Sequence, residues 1–299
     1  GTWDARFSTP MARAGLINTP VTDDLGTPGA AIIKPGSINE SVLWRRIAEM
    51  GLYHMPPLST SVPNPAGIDL VKRFIQEATY VVAHPIFYNG SAFDGRDPGA
   101  SSLDDRAIAP NKEVLLPGTR ATLANVTSYS RGVNGLMVDV WNLPAQPIAA
   151  DIRVRVGNDS TPGAWATGPA PSQISLRRGA GVSGSDRLSL IWPEGAITGK
   201  WMELSLLPSV RTGFESADTF YVGNAPGETG DQSLSAAVNS ADLLRVRNNP
   251  RSALNPAPLT FPYDINRDRQ VDTVDQALIR MNQTRGPSEL RLINLSTEP

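Results

Sequence analysis

Residues 264–275, DINRDRQVDTVD, limit what this chain can fold into more than any other stretch. Oxygen-bearing side chains at every second position of so short a loop must either repel one another or wind around a cation. A calcium ion takes six to eight oxygens, and a twelve-residue loop supplies them from positions 1, 3, 5, 7, 9 and 12, position 7 through its backbone carbonyl. Those positions hold Asp264, Asn266, Asp268, Gln270, Asp272 and Asp275, which are the expected metal ligands. Val271 at position 8 is the apolar residue that turns back into a core. The run QALIRMNQ continues the loop as a helix, whereas PAPLTFPY before it is too rich in proline to form one. Arg269 stands at position 6, where the backbone wants φ > 0 and a glycine, so strain is expected there.

A second copy lies 33 residues upstream. Val238, Asn239, Asp242, Arg247 and Asn249 match Val271, Asp272, Asp275, Arg280 and Asn282 in type and spacing. Asn239 and Asp242 then occupy positions 9 and 12 of the earlier loop. The stretch before them, DQSLSAA, is poor in acids, so Asp231, with Glu228 as a further candidate, completes that site only through an irregular loop. A duplicated loop and helix, with Asp at position 12 and no helix in front, resembles a dockerin type I module over roughly residues 223–283. The resemblance implies a calcium-stabilised docking module with a protein partner. In dockerins, loop positions 10 and 11 read that partner, and here they are Ser240 and Ala241 in one copy and Thr273 and Val274 in the other.

Composition narrows the function classes. With 299 residues the chain can hold two or three domains. A net charge of −2 leaves no basic face of the size that phosphate backbones demand, so nucleic acid is not expected as a partner. Glycine and proline number 26 each, and charged residues make only 19%, which suits loop-rich β modules. No apolar run is long enough to span a bilayer as a helix. The absence of cysteine rules out thiolate chemistry, and only His54 and His84 could act as imidazole bases, so the chain reads as non-catalytic.

Two helices are expected early. SINESVLWRRIAEMG places Ser37 and Glu40 in capping-box spacing, Leu43, Ile47 and Met50 on one face, and Gly51 as C-cap. Asn64 and Pro65 open the second as N-cap and N1, with Ile68, Val71, Phe74, Ile75 and Ala78 facing inward. Together with WDARFSTPM at Trp3–Met11, IIKPGSINESVLWRRIAE at Ile32–Glu49 and MPPL at Met55–Leu58, this region resembles the C-terminal two-thirds of a cytochrome c domain of the type appended to secreted planctomycete proteins. The resemblance implies Met55 as distal haem ligand. Haem c would require an upstream segment, because the Cys-x-x-Cys-His motif is missing. His54, beside Met55, is expected to be exposed.

From about His84 the period changes to two. RATLANVTSY, LMVDVWNL, DIRVRV, QISLRR, RLSLIW and KWMELSLL are strand signals between turn clusters. Alternation at Ile152–Val156 and around Met202–Leu206 predicts antiparallel strands with one wet face, in a β-sandwich of seven or eight strands. Asp94 and Asp97, in a turn-rich stretch, are candidates for a surface calcium. Trp141, Trp165, Trp192 and Trp201 would either stack on a sugar or fill the core.

The expected protein is therefore multidomain and mainly β: a short α-helical cytochrome c-like part (1–83), an antiparallel β-sandwich (84–222) and a small α dockerin-like calcium module (223–299). Its expected role is that of a non-catalytic, calcium-stabilised docking or anchoring region of a secreted, periplasmic or cell-surface bacterial protein, binding a protein partner or an upstream part of its own polypeptide. Two rivals stand beside it: an electron-transfer module whose haem sits on an upstream fragment, and a carbohydrate-binding or carbohydrate-active module that takes a polysaccharide.

Overall fold

The computed structural model describes residues 14–50, 54, 64–232 and 235–296. The fold is mostly β, with two sheets and few helices. It divides into two compact units. The first takes the described residues up to Ala83 together with Asp139–Pro144 and Arg177–Arg187, and the second takes the rest.

In the first unit, α1 spans Val42–Ala48 and α2 spans Pro65–Glu77. The start of α1 corrects the expected capping box. Ser41, not Ser37, is the N-cap, and its hydroxyl donates to the Ser37 carbonyl at 2.7 Å while accepting from the Lys34 amide at 2.8 Å. Residues 37–41 are therefore consumed in a turn before the helix begins. α2 starts as expected, with Asn64 Oδ1 accepting from the Gly67 amide at 3.2 Å and Pro65 in the first turn. Of its apolar stripe only Ile75 is fully buried, and Phe74 stacks on Tyr80 at 5.9 Å. Tyr80 opens β1 (Tyr80–Ala83), which pairs antiparallel with residues 139–141. Asp139, with no exposure at all, is clamped by Arg187, whose Nε and Nη2 donate to the two carboxylate oxygens at 2.8 and 2.7 Å. Nothing in the local sequence signals that pair. Gly36 has φ +70, and a Cβ there would meet the Trp141 ring at 2.4 Å, so two constraints select glycine. His54 is buried, against the expectation of exposure, and neither ring nitrogen has a hydrogen-bond partner, so packing holds it. Met55, Leu58, Gly51 and the Trp3–Met11 segment lie outside the described residues.

The remaining strands are β2 (Val126–Thr127), β3 (Gly135–Trp141), β4 (Ile152–Gly157), β5 (Ala166–Thr167), β6 (Gln173–Arg177), β7 (Asp186–Ile191), β8 (Trp201–Leu206) and β9 (Asp218–Asn224). One sheet has the order β1-β3-β7-β6 and the other β2-β9-β8-β4-β5. β2 pairs in parallel with β9, an exception to the antiparallel expectation. β8 pairs antiparallel as expected but lacks the expected wet face, being buried along its whole length. Its position inside the sheet explains this. Glu203 faces Arg153 and Arg155 at 3.5 and 3.9 Å, and Ser205 bonds Thr219 at 2.8 Å, so the polar alternates meet protein partners instead of water. Trp165, Trp192 and Trp201 are core residues whose indole nitrogens donate to Asp159, the Pro169 carbonyl and the Arg291 carbonyl.

Beyond β9 the second unit continues without a break through α3 (Ser240–Asn248) and α4 (Thr273–Met281). These helices and their loops bury Val238, Val246, Ala257, Ile265, Val271 and Ile279 as a core of their own. The C-terminal residues Leu290, Ile293 and Leu295 join a different cluster, with Leu115, Val126, Trp165, Trp201 and Tyr221 of the five-stranded sheet. One compact unit thus runs across the boundary expected at residue 222.

Candidate metal centre

The offset of 33 residues becomes a reciprocal exchange in space. Val238 in the first loop bonds Thr284 beyond α4, its carbonyl accepting from the Thr284 amide at 2.9 Å. Val271 in the second bonds Arg251 beyond α3, with both amides donating at 3.1 and 3.2 Å. Adding 33 to one member of the first pair and subtracting it from the other gives the second pair. The position-8 valines therefore tie each copy to the other, and their side chains meet in the shared core.

The second loop winds as its spacing predicts. Asp264 accepts from the amides of Asp268 at 3.1 Å and Arg269 at 2.9 Å, Asn266 Oδ1 from Asp268 at 3.1 Å, and Asp268 Oδ1 from Gln270 at 2.8 Å. Each of these acceptors draws the chain around one centre. Arg267 and Arg269 take φ +55 and +74, and the second value is the strain expected at position 6. Asp275, the third residue of α4, accepts from Ile265 at 2.7 Å and Asp272 at 3.0 Å, while Asp272 caps the helix through Val274. The carboxylates do not converge fully, since no three of them bring oxygens within 4.8 Å of one another.

Arg267 is the residue that sequence reading missed. It is 2% exposed and stacks over Tyr88 at 4.6 Å. Its guanidinium donates to the Phe261 carbonyl at 2.7 Å, to Ser128 Oγ at 3.0 Å and to the Asp264 carbonyl. The loop is thereby anchored on the β region of the same unit. Its backbone helps as well, Ala92 donating to the Arg267 carbonyl and Ser130 to that of Ile265. Its side-chain partners Tyr88 and Ser128 lie more than a hundred residues away, so no local pattern signals this role.

The first loop reaches the same end state by another register. Asp242, third residue of α3, accepts from Asn239 at 2.8 Å and from the Thr229 amide at 2.9 Å, as Asp275 does from Asp272 and Ile265. Thr229 is therefore the counterpart of Ile265, and Glu228 that of Asp264. The 15 residues from Glu228 to Asp242 replace the 12 from Asp264 to Asp275. Gly227 makes this possible, with φ +98 and Val238 and Ile279 both 3.2 Å from where a Cβ would sit. Asn239 spends its oxygen on the cap of α3, accepting from Ala241 at 2.7 Å, and turns its amide nitrogen toward Asp231 at 3.4 Å. Among the described residues, Glu228, Asp231 and Asp242 are the acidic group whose oxygens lie within 4.8 Å of one another.

Electrostatics mark both loops. Burial, with Asp242 and Asp231 adding repulsion, pushes the Glu228 carboxyl up to about 8. Burial pushes Asp264 up to about 7 against the opposing field of Arg267, and raises Asp242 and Asp275 as well. Two carboxylates 4.8 Å apart repel by about 3.5 kcal/mol at an effective dielectric constant near 20. Protons or a cation must neutralise such a group.

Other candidates resolve into structure. Asp94 is fully buried and accepts from Gly90 at 2.6 Å and Arg96 at 2.9 Å, and Asp97 accepts from Gly99, so both carry turns. His84 bonds Asp218 at 2.8 Å and packs on Phe220. No protein-family model, curated protein or solved structure matches this chain.

Proposed function

We propose that the chain is a non-catalytic docking or anchoring region of a secreted bacterial multidomain protein, its C-terminal part a dockerin-like module stabilised by calcium. The observation that carries the reading is the repetition of one loop–helix unit, in which Asp242 and Asp275 occupy the same buried place and accept the same pair of backbone amides. Calcium fits the second loop by donor chemistry. Asp264, Asn266, Asp268, Asp272 and Asp275 offer only oxygens, and the Gln270 carbonyl adds another. The ion would neutralise buried carboxylates that are otherwise driven toward the protonated form.

The antiparallel sandwich and the cytochrome c-like part complete the proposal as neighbouring modules. A haem would need Met55, outside the described residues, and an attachment motif this chain lacks. A docking partner would be read by the exposed start of each helix, Ser240 in α3 and Thr273 and Val274 in α4. No helix among the described residues is long and apolar enough to cross a membrane.

Calcium titration calorimetry of the chelator-stripped full chain tests the reading. A binding event that Asp264→Asn removes is the expected result, and an unchanged titration of Asp264→Asn, or absence of heat at millimolar calcium, overturns it.

A further inference from the structure

The geometry points to a separate divalent-cation site formed by Glu228, Asp231 and Asp242, on a loop three residues longer than its counterpart and without Asn239 as a ligand. It stands on the first copy alone and does not require the second loop to bind anything.

Three carboxylates that converge within 4.8 Å would by themselves be only an acidic cluster. What sets this one apart is the state of its oxygens. Glu228 is 6% exposed, its Oε1 accepts from the Gly230 amide at 2.6 Å, and its Oε2 is buried with no hydrogen-bond partner. Asp231 Oδ1 is likewise buried and unpartnered. Unpaired buried acceptors are rare because each forfeits its hydration, and two on adjacent carboxylates indicate that something other than an N–H donor satisfies them. Asp242 is fixed in place by the Thr229 amide and hydroxyl and the Asn239 amide, which makes it the rigid side of the site.

Space is available beside Glu228, in a cavity that Asp231 and Asp242 do not line. A cavity of about 70 Å³ is lined by Glu228, Thr229 and Gly230 together with Lys112, Ser128 and Arg267. It is large enough to hold water, which can add to the shell of an ion bound at Glu228. The two cationic residues of that cavity are engaged elsewhere. Lys112 Nζ donates to the Leu123 carbonyl at 2.9 Å, and Arg267 holds the Phe261 carbonyl and Ser128. Carboxylates with water select a hard, oxygen-seeking ion, so calcium is the probe of choice.

Equilibrium dialysis of the chelator-stripped full chain against calcium reads the stoichiometry. Two bound equivalents are expected for the unaltered chain and one for Asp264→Asn. Adding Glu228→Gln to Asp264→Asn should abolish binding, and adding Asp231→Asn should weaken it at least tenfold. Retention of one equivalent in both double variants overturns the inference and leaves the calcium reading of the second loop standing. A single equivalent that Glu228→Gln removes and Asp264→Asn leaves untouched supports the inference while the second-loop reading fails. Should circular dichroism show Glu228→Gln unfolded, the Asp231→Asn variant, whose side chain is half-buried, decides: unchanged affinity overturns the site.

Discussion

Asp242 and Asp275 sit at the same place in their helices and accept the same kind of backbone amides, yet the loops leading to them are built differently. The second loop has the regular spacing of oxygens and spreads its carboxylates, stabilising the turn with Asx hydrogen bonds and a buried arginine. The first has an irregular spacing and gathers three carboxylates tightly, two of them with a bare buried oxygen. Regular spacing thus determines how a loop winds, while the number of unsatisfied oxygens determines how strongly it needs a cation. The two need not coincide.

The largest effect that could break this comparison is expected at Arg267. Arg267→Ala removes a buried guanidinium that anchors the second loop, and should cost about 3 kcal/mol or more in denaturant unfolding. A cost below about 1 kcal/mol would mean that the second loop stands without its anchor. Next come the shared anchors. Asp242→Ala and Asp275→Ala each leave one buried and at least one part-buried amide without its acceptor and should each destabilise by about 2 kcal/mol, measured the same way. Unequal costs would show that the two copies are alike in shape only.

Acidity separates the loops more finely. In chelator, Glu228 and Asp264 have folded-state values near 8 and 7, above their ordinary unfolded values. Their protonation therefore supports folding fully below about pH 4, and that support is lost as pH rises through about 7 for the second loop and about 8 for the first. Stability of the metal-free chain should fall between those limits, and calcium should restore it at the alkaline end. Unfolding curves from pH 4 to 9, with and without calcium, measure this; a flat metal-free profile would contradict the burial of both groups.

How much of this the sequence disclosed depends on the range of the interaction. The winding of residues 264–275, the positive φ at Arg269 and the Asn64–Pro65 start of α2 are local and were readable from spacing. The role of Glu228 was readable only as an irregular candidate, because a three-residue insertion breaks the period that identifies Asp264. Arg267 on Tyr88, Arg187 on Asp139 and the burial of Glu203 involve partners tens of residues away or more, and no periodicity encodes them. β9 escaped notice because DTFYVGN lacks alternation and follows a turn-rich run. The haem ligand inferred for Met55 falls outside the described residues.

The smallest expected effect pairs the two strained arginines. Arg269→Gly relieves a left-handed backbone at an exposed residue and should stabilise by less than about 1 kcal/mol, the relief being partly offset by glycine's entropy. Arg267→Gly, at nearly the same backbone angle, should destabilise because its side chain is structural. Chemical denaturation distinguishes the signs.

The most direct test of the central claim, that these loops are completed by a cation, is thermal unfolding of the chelator-stripped full chain at neutral pH with calcium added stepwise. An ion that binds only the folded form adds about 2.7 kcal/mol at a hundredfold excess over its Kd, so the melting temperature should climb with calcium concentration and the climb should shrink in Asp264→Asn and in Glu228→Gln. A melting temperature that stays fixed up to millimolar calcium would contradict the account.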